Sequence, residues 1–419
     1  MEAIPEYEKP LQLLQKAADW HRGSLSPRAV RNLYGKEVRM SASRMDKYKS
    51  CHFSYFMRYG LEAEPRRPAG FTAPESGTFV PYVLEHVLQD PMFRPAEEGG
   101  LSGRLDDEHR EYLHELTRSA VERYVTEELG GLEDQTERFK YLFRRLLKAV
   151  YAVVDNMAEE VLQSGFKPLS FELGFGSGKD LPPVQLTSNG VTISITGFVD
   201  RVDGWVKGDK LYLRVVDYKT GRKSFDMTEI WNGLGLQMLL YLFTLEKDGS
   251  QFYGKPVEGA GVLYLPARDA TVKGSRTMSD EDWRKSMDKE LTRSGIVLDD
   301  PEVLNAMENP SDGAYRFLPL KVTKSTGKIS GDALASAEQL GKLGRHVHEI
   351  LTAICDELAR GNVMADPFWR GPEHNACRFC DYAEACHFEE GRGGDCRRWA
   401  EKLGRVDFWK NIDSEQSES

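Results

Sequence analysis

No apolar run in the 419 residues approaches the ~18–20 needed to span a membrane. The first residues, "MEAIPEYEKPLQLLQ", lack the basic-then-apolar order of a secretory signal. A cytoplasmic protein with no membrane contact is therefore expected. Positive charge is also short: 56 Lys and Arg face 66 Asp and Glu, a net charge of −10. Any nucleic-acid contact must then use a local basic patch. "RFKYLFRRLLK" (138–148) and "RRWAEKLGR" (397–405) gather the basic residues, although charge alone reads them as solvated helix faces. Repeats are absent, and so is a nucleotide-binding loop. "GFGSGKD" (174–180) has glycine spacing one residue short and no Ser or Thr after its lysine, so it reads as a turn. Cysteine is scarce, with six in the chain, but four of them lie in the last 43 residues.

Composition is that of an ordinary soluble globular protein, 40% hydrophobic and 29% charged. The length allows two or three domains, or one core with large additions. Residues 1–40 read as polar, loosely organised helix. Residues 41–61 read as a helix capped by Ser41 or Ser43, and 65–77 as a Pro/Gly-rich loop. Helices follow at 78–90, 106–129 and 134–164. The period then changes to that of strands, at 167–176, 183–188, 191–203 and 211–218, with a helix at 228–249 and a strand at 260–267. Residues 268–330 read as irregular apart from a short helix near 279–292. A long helix covers 332–361, and the tail "DSEQSES" reads as disordered. This order predicts a mixed α/β core with helical additions.

The informative stretch is "LRVVDYKTG" (213–221), an apolar strand that carries Asp217 and Lys219 just before a glycine turn. Two residues apart, both side chains project from one face. A buried charge must be paired or bound. "ITGFVDRVD" places Asp200 three residues after Gly197, with Asp203 beyond it, and "SFELGF" carries Glu172. Antiparallel pairing would gather Glu172, Asp200 and Asp217, a donor set suited to Mg²⁺ or Mn²⁺. "DYK" alone reads better as a structural ion pair at a strand end, which is common.

Cys377, Cys380 and Cys386 form C-x₂-C-x₅-C. Three thiolates need a fourth ligand, for zinc or for an iron–sulfur cluster. Spacing leaves Cys396, His374, His387 and the distant Cys51 as candidates. Cys355 reads as a small buried hydrophobe.

Taken together, G-x-x-D, D-Y-K-T-G and Q-x-x-x-Y (Gln237, Tyr241) resemble the RecB-type branch of the PD-(D/E)xK nucleases. The resemblance implies a restriction-endonuclease-like mixed sheet flanked by helices. It makes Asp200 and Asp217 metal ligands, Lys219 catalytic, Glu172 a further site acid, and Gln237 and Tyr241 an accessory pair. "SASRMDKYKSCHFSYFMRYGL" followed far downstream by "CRFCDYAEAC" is similar to the AddB-type subunits of bacterial helicase–nucleases. There Cys51, Cys377, Cys380 and Cys386 would hold a [4Fe–4S] cluster stapling the two ends of the chain. The implied segments are a helical region at 1–165 and a nuclease core at 166–270. A region packing on the core (271–370), a cluster segment (371–390) and a basic segment with a disordered tail (391–419) follow.

The resemblance further implies cleavage of single-stranded DNA at processed ends and an AddA-type partner subunit. Such subunits are longer, so the chain reads as a C-terminal fragment. The motif departs at one place. Where G-T-x-x-H-x-x-x-E is usual, "GTFVPYVLE" has Pro81 in the histidine position. His86, five residues on, points about 140° away. The rival expectations are an inactive iron–sulfur DNA-binding scaffold and a standalone CRISPR-type nuclease.

Overall fold

The computed structural model describes residues 5–18, 21–64, 76–133, 136–221, 223–268, 272, 278–310, 314–323 and 325–418. A six-stranded mixed sheet lies at the centre. It is built from β2 (Lys167–Phe175), β5 (Gly197–Lys207), β6 (Lys210–Lys219), β7 (Val257–Pro266), β8 (Ser294–Leu298) and β11 (Leu334–Ala335). Its spatial order is β11-β8-β7-β6-β5-β2. β6 pairs antiparallel with β5 and parallel with β7. β6 and β7 read as near-continuous apolar runs because helices cover both of their faces.

One face packs on α5 (Ser76–Leu88), α6 (Asp107–Glu127) and α7 (Glu137–Gln163), whose apolar stripes close over Val216, Tyr218 and Leu265. The other face packs on α9 (Gln237–Tyr253) and α12 (Ala337–Ala359), which continue the larger core. Local signals set the helix ends. Asp106 and Thr136 accept the first free N–H groups of α6 and α7. Ser336 and Gln339 form a reciprocal capping box on α12. Among the described residues no helix is long and apolar enough to cross a membrane.

The mixed α/β expectation holds, with several corrections. The strand read over 191–203 breaks at Thr196. Its first part, β4 (Val191–Ile195), belongs to a separate sheet with β3 (Val184–Ser188) and β1 (Glu37–Met40). β1 runs parallel to β4 within a segment read as loose helix. The helix read over 41–61 is three pieces: α3 (Ala42–Ser50), α4 (His52–Tyr55) and a π-helix at Phe56–Gly60. The break falls at Cys51, whose backbone is extended. The helix over 228–249 is likewise divided into α8 (Met227–Trp231) and α9, because Gly233 and Gly235 between them hold positive φ. The short helix expected near 279–292 is α10 (Asp280–Leu291), but the rest of the region read as irregular also supplies β8 and the helix α11 (Pro301–Met307). Of the loop read over 65–77, residues 65–75 lie outside the described residues.

The tail read as disordered is helical as far as Glu418. α14 (Arg405–Glu418) lies along α12, where Asp413 pairs with Lys342 at 2.8 Å and Glu415 with His346 at 2.6 Å. A helix with so little apolar periodicity is stabilised by its partner rather than by its own stripe. The boundaries drawn at 165 and 270 do not separate packing units either. β1 joins the first segment to β4, and β8 and β11 complete the main sheet from the third.

Candidate active site

The β5–β6 ladder runs from Lys207↔Lys210 to Arg201↔Val216 and stops. Beyond that point β5 stays paired with β2 as far as Gly197, while β6 stays paired with β7 as far as Lys219. The sheet forks, and the acids line the fork. Asp200 replaces the lost ladder bond: its Oδ2 accepts the N–H of Tyr218 at 2.8 Å. Asp217 is 4% exposed, and its Oδ2 lies 2.5 Å from Lys219 Nζ. The contact is close but poorly directed, since this oxygen makes no properly angled hydrogen bond among the described residues. Lys219 also lies 5.6 Å from the centroid of the Tyr264 ring, and Tyr264 is the register partner of Asp217 on β7.

Glu172 stands in β2 between the residues that pair with Val199 and Arg201, and it has φ +46°. A left-handed glutamate inside a strand is uncommon. Its carboxyl is pushed above the ordinary range by burial and then by Glu85. Asp200 is pushed up to about 7, first by burial and second by Asp217. Burial also raises Asp217, against the pull of Lys219 and then Lys223. The fork thus gathers more carboxylate than lysine can balance. A buried oxygen without a hydrogen bond and a donor set made of carboxylates fit a hard divalent cation.

Gln237 and Tyr241 lie one turn apart at the start of α9, where the Gln237 Nε2 donates to the Tyr241 hydroxyl at 3.4 Å. Tyr241 stacks on Phe175 of β2, with centroids 5.1 Å apart and planes at 8°. Its hydroxyl fills the space of a side chain at position 197. A Cβ on Gly197 would stand 2.0 Å from that oxygen. The glycine of G-x-x-D is thereby explained by the tyrosine of Q-x-x-x-Y.

Pro81 and Glu85 are four residues apart on α5 and share one face. Glu85 is felt by Glu172, so this face addresses the fork. α5 begins at Ser76, which sets Pro81 beyond the first turn, where a proline removes a helical hydrogen bond. His86 is engaged elsewhere: its Nδ1 lies 2.8 Å from the Tyr82 carbonyl, and its ring stacks on Tyr82 at 4.0 Å.

Two features carried no signal in the sequence. Asp46 on α3 accepts the Gly235 N–H at 2.8 Å and so holds the turn that enters α9. On the other side of the fork strands, Asp203 lies between Arg201 at 2.8 Å and Arg214 at 2.8 Å. Arg214 continues to Glu160 at 3.2 Å, and Arg293 meets the same carboxylate at 2.6 Å. Every member is at most 2% exposed. A run of alternating charge reads as solvated until both faces of the sheet are seen to be covered.

The cysteines form a second assembly. Cys51 caps α4, and Cys386 closes α13 (Ala383–Cys386). Burial raises Cys51 and Cys377 to about 11, and it raises Cys386 as well. Cys51 senses Cys386, Cys377 senses Cys51 and Cys380, and Cys386 senses Cys380 and Cys377. Arg22 reaches the Cys386 sulfur at 3.5 Å, and Ser54 lies 3.8 Å from that of Cys380. Cys396 is exposed and its charged neighbours are Asp366, Glu390, Arg398 and Asp395. Cys355 is fully buried in the larger core. Burial disfavours the bare thiolates of Cys51, Cys377 and Cys386, and together with Cys380 they make a donor set that fits a soft cationic centre, which would hold them as thiolates. Around them, His52 bonds Asp366 at 2.6 Å and Glu357 at 3.0 Å, and Arg22 bonds Asp395 at 2.6 Å.

Residues 39–387 match the family described as the PD-(D/E)XK nuclease superfamily. The chain is 30% identical over 396 residues to the B-subunit of the ATP-dependent helicase/deoxyribonuclease of Clostridium acetobutylicum, covering 94% of this chain and 34% of that protein. It is 29% identical over 387 residues to the protein of the same name from Thermoanaerobacter sp., covering 92% and 33%. It is 27% identical over 419 residues to that of Clostridium novyi, covering 99% and 36%. The chain spans about a third of the length of these relatives. It belongs to the PD-(D/E)XK nuclease superfamily.

Proposed function

We propose that this chain is the nuclease portion of an AddB-type helicase–nuclease subunit. It hydrolyses phosphodiester bonds of single-stranded DNA at processed double-strand ends, in recombinational repair. Its partners are DNA and an AddA-type subunit. The observation that carries the reading is the forked acid pair Asp200–Asp217 beside Lys219. The relatives named as helicase/deoxyribonuclease B-subunits support the assignment to such a complex.

Asp200 and Asp217 would hold Mg²⁺ or Mn²⁺, with Glu172 beside them. When bound, such an ion polarises the phosphodiester and lowers the pKa of water. Lys219 carries its ammonium at the mouth of the fork, where it orients water and offsets the negative charge that develops on the phosphate. Tyr241, wedged against Gly197 and Phe175, fixes the floor of the fork. Gln237 holds that hydroxyl in place and stands toward the DNA. Cys51, Cys377, Cys380 and Cys386 would hold a [4Fe–4S] cluster whose role is to staple the termini around the core.

Pro81 supplies no metal ligand and weakens cleavage. The experiment is cleavage of an end-labelled single-stranded oligonucleotide with Mg²⁺ or Mn²⁺. Metal-dependent cleavage that falls about 10³-fold in Asp217→Ala supports the reading. Equal cleavage by Asp217→Ala overturns the site. Pro81 also favours a second reading, a silent DNA-binding scaffold. Cleavage that appears only in Pro81→His identifies that case. The cluster is read separately: broad absorbance near ~400 nm, bleached by dithionite, supports iron–sulfur, and stoichiometric zinc in a colourless protein overturns it.

A further inference from the structure

A cavity of about 460 Å³ opens on the far side of α3 from the fork. Its walls carry three arginines (Arg39, Arg44, Arg58) and three tyrosines (Tyr34, Tyr55, Tyr59). We propose that it is a nucleotide-binding subsite that holds the single-stranded DNA leading to the fork. This deepens the nuclease reading and rests on it.

These arginines differ from those buried beneath the sheet. Arg39 is exposed and has no ion pair among the described residues. Arg44 donates to the Arg39 carbonyl at 2.9 Å and lies over the Tyr59 ring at 4.7 Å. Arg58 shares a side-chain hydrogen bond with Tyr382 and reaches Glu64 only at 3.9 Å, and that glutamate side chain is 76% exposed. Each guanidinium has five donors, so much of their capacity stays open. In a chain of net charge −10, this is a local concentration of donors that suit phosphate.

The tyrosines supply the second half of the chemistry. Tyr34 and Tyr59, both half-buried, flank the buried Tyr55, with ring centroids 5.8 and 5.1 Å away, so the open aromatic surface is theirs. Aromatic faces beside arginines are what unpaired bases stack on. Glu62 and Glu64 on the rim dilute the positive field, so the pocket is no general anion trap. Arg58 and Tyr59 lie on the π-helix Phe56–Gly60. Such wide turns are rare and recur at functional sites. Gly60 is needed there because a Cβ would stand 2.8 Å from the Tyr34 hydroxyl.

The position suits a strand bound for the fork. Arg44 faces the pocket, while Asp46, about 200° further round α3, bonds Gly235 at the entry to α9. One helix, ~10 Å across, therefore separates the pocket from the active-site side. β1 makes the same connection: the Met40 carbonyl accepts the N–H of Thr196, which precedes Gly197.

The test is fluorescence anisotropy of a labelled dT₁₂ oligonucleotide, read in EDTA, where binding needs no cleavage. A chain that failed as a nuclease would still give an answer. Arg39→Glu, at an exposed position, should weaken binding about tenfold and lower the salt slope by about 1. Tyr59→Leu should weaken it about tenfold with the slope unchanged. Thermal melting checks that both variants remain folded, and Arg39→Glu decides if Tyr59→Leu does not. Parent-like affinity in Arg39→Glu overturns the proposal, as does equal loss on duplex DNA. Displacement by thymidine monophosphate or inorganic phosphate at low millimolar concentration assigns the pocket to a free small molecule and overturns the strand.

Discussion

Asp203 and Asp200 are three residues apart on β5, and the protein treats them in opposite ways. Asp203 is enclosed by Arg201 and Arg214, and Glu160 beyond it by Arg214 and Arg293. Asp200 faces Asp217 across the fork and borrows a backbone N–H. The first set satisfies its charges within the protein. The second is left short of positive charge, and its acids are held above their ordinary range. Burial is common to both, so burial does not separate structure from function here. What separates them is whether the protein supplies the counter-charge itself.

Substitution should break this comparison most sharply. Asp203→Ala removes the carboxylate shared by two buried guanidinium groups and should destabilise the fold by about 3–5 kcal/mol in urea unfolding. Asp217→Asn should reverse the pattern, with a denaturation midpoint at or above that of the parent and cleavage down about 10³-fold. If Asp217→Asn unfolds as readily as Asp203→Ala, the two sets are both structural.

Acid titration gives the next largest effect. Glu160 is held at about 2 by Arg293, then Arg214 and Arg201, which outweigh its burial. An acid with a lowered folded pKa stabilises above its unfolded pKa and loses that contribution as pH falls through the folded one. Glu160 should therefore contribute fully above about pH 4.5 and progressively less toward pH 2, on the order of 3 kcal/mol in all. In Glu160→Gln, the fall in stability across that window should be smaller by this amount.

Metal addition sharpens the other side. Mg²⁺ at a hundred times its dissociation constant should stabilise the parent by about 2.7 kcal/mol, seen as a rise in Tm, and leave Asp217→Asn unmoved. The smallest effect expected is that of Gly197→Ala. It forces the Tyr241 hydroxyl aside and should destabilise by about 1–3 kcal/mol, with cleavage reduced.

The place of Asp217 and Lys219 at the end of an apolar strand was legible because they interrupt an apolar run. Helix α9 was legible from its stripe and its terminal glycine, although its start at Gln237 was not. Arg201, Asp203 and Arg214 break the apolar pattern in the same way, yet Arg201 and Arg214 were not singled out and Asp203 was named only as a neighbour of Asp200. Only coverage by α7 on that face turns them into buried charge. The fork could not be read at all, because it is a place where two ladders part rather than a residue pattern. α14 was missed for a related reason. Its polar sequence matches α12 through side-chain pairs and offers no periodicity of its own.

The joining of the two ends has a consequence in time. His52 closes on Asp366, 314 residues later, and Arg22 on Asp395, 373 residues later. A chain growing at about 5–20 residues per second leaves His52 waiting roughly 15–60 s for its partner. Throughout that interval Tyr48, Tyr55 and the rest of this early segment have no finished surface to bury against. Of the segments described, the one around His52 is thus left longest without its partners and is the one most open to chaperones and proteases during synthesis.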